Sequence, residues 1–186
     1  KTLVDKIVTP GEVYIFSIFF YILAVMCMLP SLSLSNISND TVSYIFGSGL
    51  ALAFFYTATP LGLKYIAFGD ITIFLCFGPL LMQCTSLMLT GRINDSLWLY
   101  SIPVGALTEA ILHANNARDI AADSSAGITT LATVLGFNAS KVVFDVLLTS
   151  AYMSVLYIAL YEYWGCIAAL LTIPSAFDLK NKFNDK

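Results

Sequence analysis

Val13 to Leu29 is an apolar stretch without a single charge, and the pattern recurs along the chain. Val42 to Thr59 and Ile71 to Leu89 are equally uncharged, and Ser96 to Ala114 and Val142 to Tyr161 nearly so. Trp164 to Phe177 is a shorter sixth run. A helix needs about 20 mostly apolar residues to cross the hydrocarbon core, where every backbone polar group must be paired internally. The ten-residue alternation of a membrane barrel is missing. These runs predict an all-α, polytopic transmembrane helical bundle with about five or six crossings, a single partial domain over 1–186. Pro30 and Pro60 are expected to end the first two helices and Asp70 to cap the third.

Composition agrees. Charged residues make up 11% of the 186 and hydrophobic ones 58%, with a mean hydropathy of +0.81. A soluble domain carries about a quarter charged residues, and a disordered chain needs low hydrophobicity, so both are excluded. The net charge of −3, without a basic stripe, argues against nucleic acid. Cys27, Cys76, Cys84 and Cys166 form no CxxC pair, and each reads as a small buried hydrophobe. The chain opens on Lys1 without a signal-peptide pattern and reads as a fragment.

The loops divide into two sides. Lys1, Lys6, Lys64, Arg118, Lys141, Lys180, Lys182 and Lys186 fall on one, and Arg92 alone on the other. Positive charge marks the cytoplasmic side, so the first side, with the 60–69 loop and the 115–141 region, is expected to face the cytosol. Sequons at Asn36, Asn39 and Asn94 lie on the opposite side, and one at Asn138 on the first; a sequon alone is weak evidence.

The chemistry concentrates in Glu109 to Gly136, EAILHANNARDIAADSSAGITTLATVLG. Asp119 and Asp123 stand four apart, so a helix presents both carboxylates on one face. Hard oxygen pairs of this kind suit Mg²⁺, which in turn bridges to phosphate. At about 100° per residue, Glu109, His113, Asn116 and Asp123 share a narrow arc with Asp119 at its edge. Ionisable groups at membrane depth are costly and usually functional, so the arc suggests a polar channel reaching a surface carboxylate pair. His113, the only histidine, is either a base or hydrogen-bonding group of a pocket or the structural partner of Glu109 one turn away. Glu109 has the same two readings. Arg118 grips diphosphate or anchors at the interface, and Asn115 and Asn116 offer amides to phosphate or cap a helix end. In the loop YTATPLGLKYIAFGD, Lys64 is a cation for diphosphate or a snorkelling lysine. Tyr56 is a ring or hydroxyl for the substrates or an interface residue.

With these residues in view, NNARDIAADSSAGITTLATVLG resembles the second Asp-rich motif of the UbiA prenyltransferase superfamily in its menaquinone branch. KTLVDKIVTP, FFYTATPLGLKYIAFGD, FGPL, TEAILHANNARD and LLTIPSAF are similar to the animal representatives of that branch. The resemblance spans nearly the whole chain. It implies a helical bundle around a central cavity and Mg²⁺-dependent transfer of a geranylgeranyl-like prenyl chain from its diphosphate to a quinone-type aromatic acceptor, the menaquinone or vitamin K chemistry. It makes Asp119 and Asp123 metal ligands, and Lys64, Asn116 and Arg118 diphosphate-binding residues. Tyr56, Glu109 and His113 are expected at the acceptor and prenyl pocket.

The resemblance also implies a lipid membrane and a sterol-pathway reductase as partners. The location expected is endoplasmic reticulum or Golgi in a eukaryote, or the inner membrane in a bacterium. The family's first Asp-rich motif is expected just upstream of Lys1, so the isolated chain is expected to be inactive. Ser124 and Ser125 stand where a basic residue usually follows the motif. That departure keeps open a non-catalytic membrane protein that regulates sterol or quinone metabolism. A transporter is disfavoured by the lack of an inverted repeat in the sequence.

Overall fold

The computed structural model describes residues 8–35 and 37–184. Lys1, Lys6, Lys186 and the sequon residue Asn36 lie outside the described residues. The chain forms α1 (Pro10–Leu34), α2 (Asn39–Thr57), α3 (Gly69–Leu75), α4 (Leu81–Thr90), α5 (Ser96–Arg118), α6 (Ile120–Ser125), α7 (Leu131–Leu135), α8 (Phe137–Tyr161) and α9 (Ile173–Asn184). Short 3₁₀ segments cover Leu63–Tyr65 and Trp164–Thr172. No strand occurs among the described residues, and the all-α architecture expected from the apolar runs is what is found.

Three helical stretches are long and apolar enough to cross a membrane: Pro10–Leu34, Gly69–Thr90 and Phe137–Tyr161. The middle one is α3 and α4 joined by a π-helical turn, Cys76–Leu80, which absorbs Pro79 without ending the helix. Helices α2 and α5, of 19 and 23 residues, match that length but carry more polar side chains. The sixth run does not continue as one α-helix. It is 3₁₀ over Trp164–Thr172 and then enters α9, whose Lys180 and Lys182 pair with Asp145 and Asp178.

Local chemistry sets the ends. Thr9 and Glu12 cap α1 reciprocally: the Thr9 N–H donates to Glu12 Oε2 at 2.7 Å and the Glu12 N–H to Thr9 Oγ1 at 3.3 Å. Ser38 caps α2 through the Thr41 N–H, and Thr130 and Thr133 cap α7 in the same reciprocal way. Pro30 does not end α1, which runs on to Leu34. Proline removes one N–H and so one helical bond; this close to the terminus the remaining turn keeps the others.

The core gathers around α5. Small residues bring α5 and the π-helical turn into close contact: a Cβ on Gly78 would sit 3.0 Å from the Ser101 carbonyl oxygen, and one on Gly105 3.0 Å from that of Phe74. Close backbone approach over glycine is how membrane helices gain packing without a hydrophobic drive from water. On its other flank α5 meets α7, α8 and α9 through Ala110, Ala117, Ala132, Phe144, Leu148 and Phe183. Gln83, buried in the first turn of α4, pins the turn that follows this helix by donating to the Asn94 carbonyl at 2.9 Å. Cysteines follow the apolar surface and not the core: Cys27 is exposed and the other three are half-buried, all of them free thiols. The expectation of buried cysteines fails because the helices that carry them turn much of their apolar surface outward, where lipid would cover it.

Candidate functional site

Two loops on the same side of the bundle are joined. The Ala67 N–H donates to the Thr129 carbonyl at 2.7 Å, and the Thr129 N–H to that of Tyr65 at 3.2 Å, a parallel bridge centred on Ile66 and Thr129. Ala67 takes a left-handed φ of 63° to make this turn. The bridge holds the Lys64 loop against the segment that follows Asp123.

Beneath it, Gly69 is the point of closest approach. A Cβ there would meet Lys64 Cα at 3.4 Å and Tyr56 Cε2 at 3.8 Å. The absence of a side chain therefore lets Tyr56 and the Lys64 backbone converge beside the first turn of α3. Lys64 Nζ stands 5.5 Å from the Tyr65 ring centre and joins no ion pair among the described residues. Its ammonium is free for an anion.

Asp70 is the residue that sequence reasoning misplaced. It does not cap α3; Phe68 holds that position without a side-chain bond. The Asp70 carboxylate turns into the bundle, 2.6 Å from His113 Nδ1 and 3.4 Å from Asn116 Nδ2, which donates to it. His113 is fully buried and Asp70 is 6% exposed. The partner of His113 is thus Asp70, from another helix, and not Glu109. Glu109 lies one turn earlier on α5, is 4% exposed, and neither of its oxygens has a partner. The local signal for Asp70 was slight: an acid at the mouth of an uncharged run after a glycine, which is also the signature of a cap.

The Asp pair sits at a helix interruption. Helix α5 stops at Arg118, Asp119 adopts φ −97° and ψ 10°, and α6 begins at Ile120. Backbone bonds still cross the break, from the Asp119 N–H to Asn115 and from the Asp123 N–H to Asp119. The unbroken arc is therefore corrected: Glu109, His113 and Asn116 face Asp70, whereas Asp119 and Asp123 lie past the break. Arg118 forks onto Asp119, Nε and an Nη each donating at 2.7 Å. These bonds hold the Asp119 carboxyl below the ordinary carboxylate range. Asp123 is half-buried, and its side chain makes no hydrogen bond among the described residues. Ser124 and Ser125 are exposed.

The expected polar channel does not coincide with a large cleft found among the described residues. That cleft, about 990 Å³, opens on another face of α5 between α8 and α9. Its lining is mainly apolar, with Ala110, Ala114, Phe144 and Leu148, and Arg118 and Lys182 contribute its cations. Glu109 and His113 of α5 instead face Asp70 of α3 and are buried there.

The UbiA prenyltransferase family model matches residues 1–181. The chain belongs to that family. The UbiA match extends across the loops and helices just described, from α1 to most of α9. Similar UbiA proteins include UbiA prenyltransferase domain-containing protein 1 of Gallus gallus, 36% identical over all of this chain and 56% of its own length. The Homo sapiens protein of that name is 36% identical, over 55% of its length. The Drosophila melanogaster homolog is 35% identical, over 52% of its length. The chain thus spans about half the length of these curated relatives.

Proposed function

We infer that the full-length protein is an intramembrane aromatic prenyltransferase of the menaquinone type, moving a prenyl group from its diphosphate to a quinone-type acceptor. The observation that carries this reading is the bridge between the Lys64 loop and the Asp-rich segment in a member of the UbiA family. It ties the loop that carries Lys64 to the segment after Asp123, the segment that Arg118 and Asp119 lead into.

Asp119 and Asp123 fit Mg²⁺ by the chemistry of their donors: hard carboxylate oxygens past a helix break, neither buried. They would hold the ion, which when bound supplies charge neutralisation for the departing diphosphate. Lys64 and Arg118 would bind the diphosphate oxygens, Lys64 as a point charge and Arg118 through its planar fork. For this Arg118 leaves Asp119, an exchange of one carboxylate partner for a phosphate. Asn116 donates one amide N–H to Asp70 and retains a second for phosphate. Tyr56, half-buried beside Gly69, bounds the acceptor and prenyl end, with Glu109 and His113 behind it. The apolar helices would exclude water while the C–O bond of the donor loosens and an electron-rich ring carbon attacks. The diphosphate leaves with the bonding pair of that C–O bond before or as the new C–C bond forms, and the ring then loses a proton.

The lysine and arginine asymmetry supports a site on the cytosolic side of the membrane. The animal-like segments favour endoplasmic reticulum or Golgi, with a sterol-pathway reductase as a partner. The test is prenyl transfer by the full-length protein given geranylgeranyl diphosphate, Mg²⁺ and menadiol. Loss of product in Asp119→Ala and Asp123→Ala supports the reading. A folded wild type with neither transfer nor Mg²⁺-dependent diphosphate binding favours a regulatory membrane protein, the alternative that Ser124 and Ser125 in place of a basic residue bring forward.

A further inference from the structure

Asp70 and Glu109 bring two carboxyl groups together in the buried layer between α3 and α5, with oxygens within 4.8 Å of each other. Neither Glu109 oxygen has a partner among the described residues, and the residue is only 4% exposed, so solvent is no substitute. Two carboxylates side by side and out of water cannot both be ionised. One proton shared between them resolves the pair, and the other bonds decide where it resides. Asp70 already accepts from His113 Nδ1 at 2.6 Å and from Asn116 Nδ2 at 3.4 Å. Accepted bonds favour the ionised form of a carboxyl, and Glu109 accepts none. The proton therefore belongs to Glu109, which donates it to Asp70 and so gains the partner it otherwise lacks.

That proton governs how Asn116 faces. A carboxylate only accepts, so Asn116 has to present its amide nitrogen to Asp70 and not its oxygen. A protonated Asp70, or an amide in its place, would let the Asn116 amide turn round. Asn116 stands two residues before Arg118, in the last turn of α5 and just ahead of the break at Asp119. With one N–H tied to Asp70, the second hydrogen of the same nitrogen is held in a fixed direction for an anion. The bonds thus run from Glu109 through Asp70 to Asn116, from buried to half-buried side chains.

We propose that Asp70 is a positioning residue for the diphosphate: the proton it shares with Glu109 keeps it an acceptor, and as an acceptor it aims the Asn116 amide. This rests on the prenyltransferase reading, in which Asn116 binds the diphosphate. Asp70 acts there only through Asn116.

The test is a double-mutant cycle on Asp70 and Asn116 in the full-length protein. It is read as KM for geranylgeranyl diphosphate in transfer to menadiol, and as Mg²⁺-dependent binding of the same diphosphate. Asp70→Asn is expected to raise KM and weaken binding about tenfold, the scale of one hydrogen bond to a charged group, with a smaller change in kcat. In an Asn116→Ala background the same substitution is expected to change either quantity less than about twofold. Equal losses in both backgrounds, or a fall in kcat at unchanged KM, would overturn the proposal. Should Asp70→Asn fail to fold, Asp70→Glu, which displaces the acceptor by one methylene, takes its place in the cycle with the same expectations. Infrared spectra supply a readout apart from activity. The carbonyl band of a protonated carboxyl, shifted in heavy water, is expected in the wild type and is expected to be lost in Glu109→Gln. No such band in the wild type, or an undiminished one in Glu109→Gln, rejects the shared proton. Transfer without coupling between the two residues removes this proposal and leaves the prenyltransferase reading standing. Coupled diphosphate binding without transfer does the reverse, and neither transfer nor binding removes both.

Discussion

At the residue scale, the Arg118–Asp119 pair sets a pH dependence. Asp119 is held below its ordinary carboxylate value, so it stays ionised to lower pH than an isolated aspartate. The contribution to metal binding proposed for it would be present above that lowered value and lost as pH falls through it. On the proposed reading, in Arg118→Ala the carboxyl of the unliganded protein returns toward its usual range, and the acid limb of the kcat/KM profile, which reports the protein before diphosphate takes Arg118, is expected to move to higher pH. An unmoved acid limb would mean that another group controls it. For the ligands themselves, Asp119→Ala and Asp123→Ala are each expected to lower kcat by about 100-fold or more, the scale of a lost electrostatic stabiliser in a water-excluded site. The sequence exposed these two because their spacing is local. Asp70 was hidden because its partner His113 is 43 positions away. Nothing within a turn or two of an acid at a helix mouth distinguishes a cap from a buried hydrogen bond to another helix.

At the element scale, apolar length made the helices legible and their ends less so. Pro30 and Asp119 show the two ways in which the ends escaped. A proline near a terminus costs a single bond, so α1 outran it. A polar stretch read as one helical face contains a break at Asp119, whose backbone bonds still cross it. The packing of α3 and α4 on α5 was likewise unread, because Gly78 and Gly105 carry no side chain to announce it. Either glycine changed to Ala puts a methyl 3.0 Å from a carbonyl oxygen of the neighbouring helix. We expect Gly105→Ala to destabilise the bundle by about 1–3 kcal/mol, read as a lower midpoint of thermal unfolding in detergent. Gly11, with open space around it, is the control that leaves the midpoint unchanged.

At the scale of the whole molecule, the uneven distribution of lysine and arginine is a statement about orientation. A single cysteine placed at exposed Ser125, in a background with the four native cysteines replaced, is expected to react with an impermeant thiol reagent only from the cytosolic side. Labelling from the lumenal side would invert the topology and with it the side from which the diphosphate arrives. The buried polar face and the apolar outer face are also divided at this scale. Glu109 and His113 of α5 turn inward toward α3, while α1 leaves most of its apolar residues outward. Composition alone anticipates the second of these, whereas the first requires knowing which helix is the neighbour.

The bridge between Ile66 and Thr129 is written in backbone atoms alone. Its donors and acceptors belong to no particular side chain, so the residues along it are free to drift while their number is not. One residue inserted between Gly62 and Gly69, or between Asp123 and Thr130, shifts the register in which the Lys64 loop meets the segment after Asp123. Over evolutionary time this part of the chain is therefore a ruler whose markings can be rewritten but whose length is kept. Descendants that changed their substrate should show substitutions here, and those that gave up the reaction should be the first to show gaps.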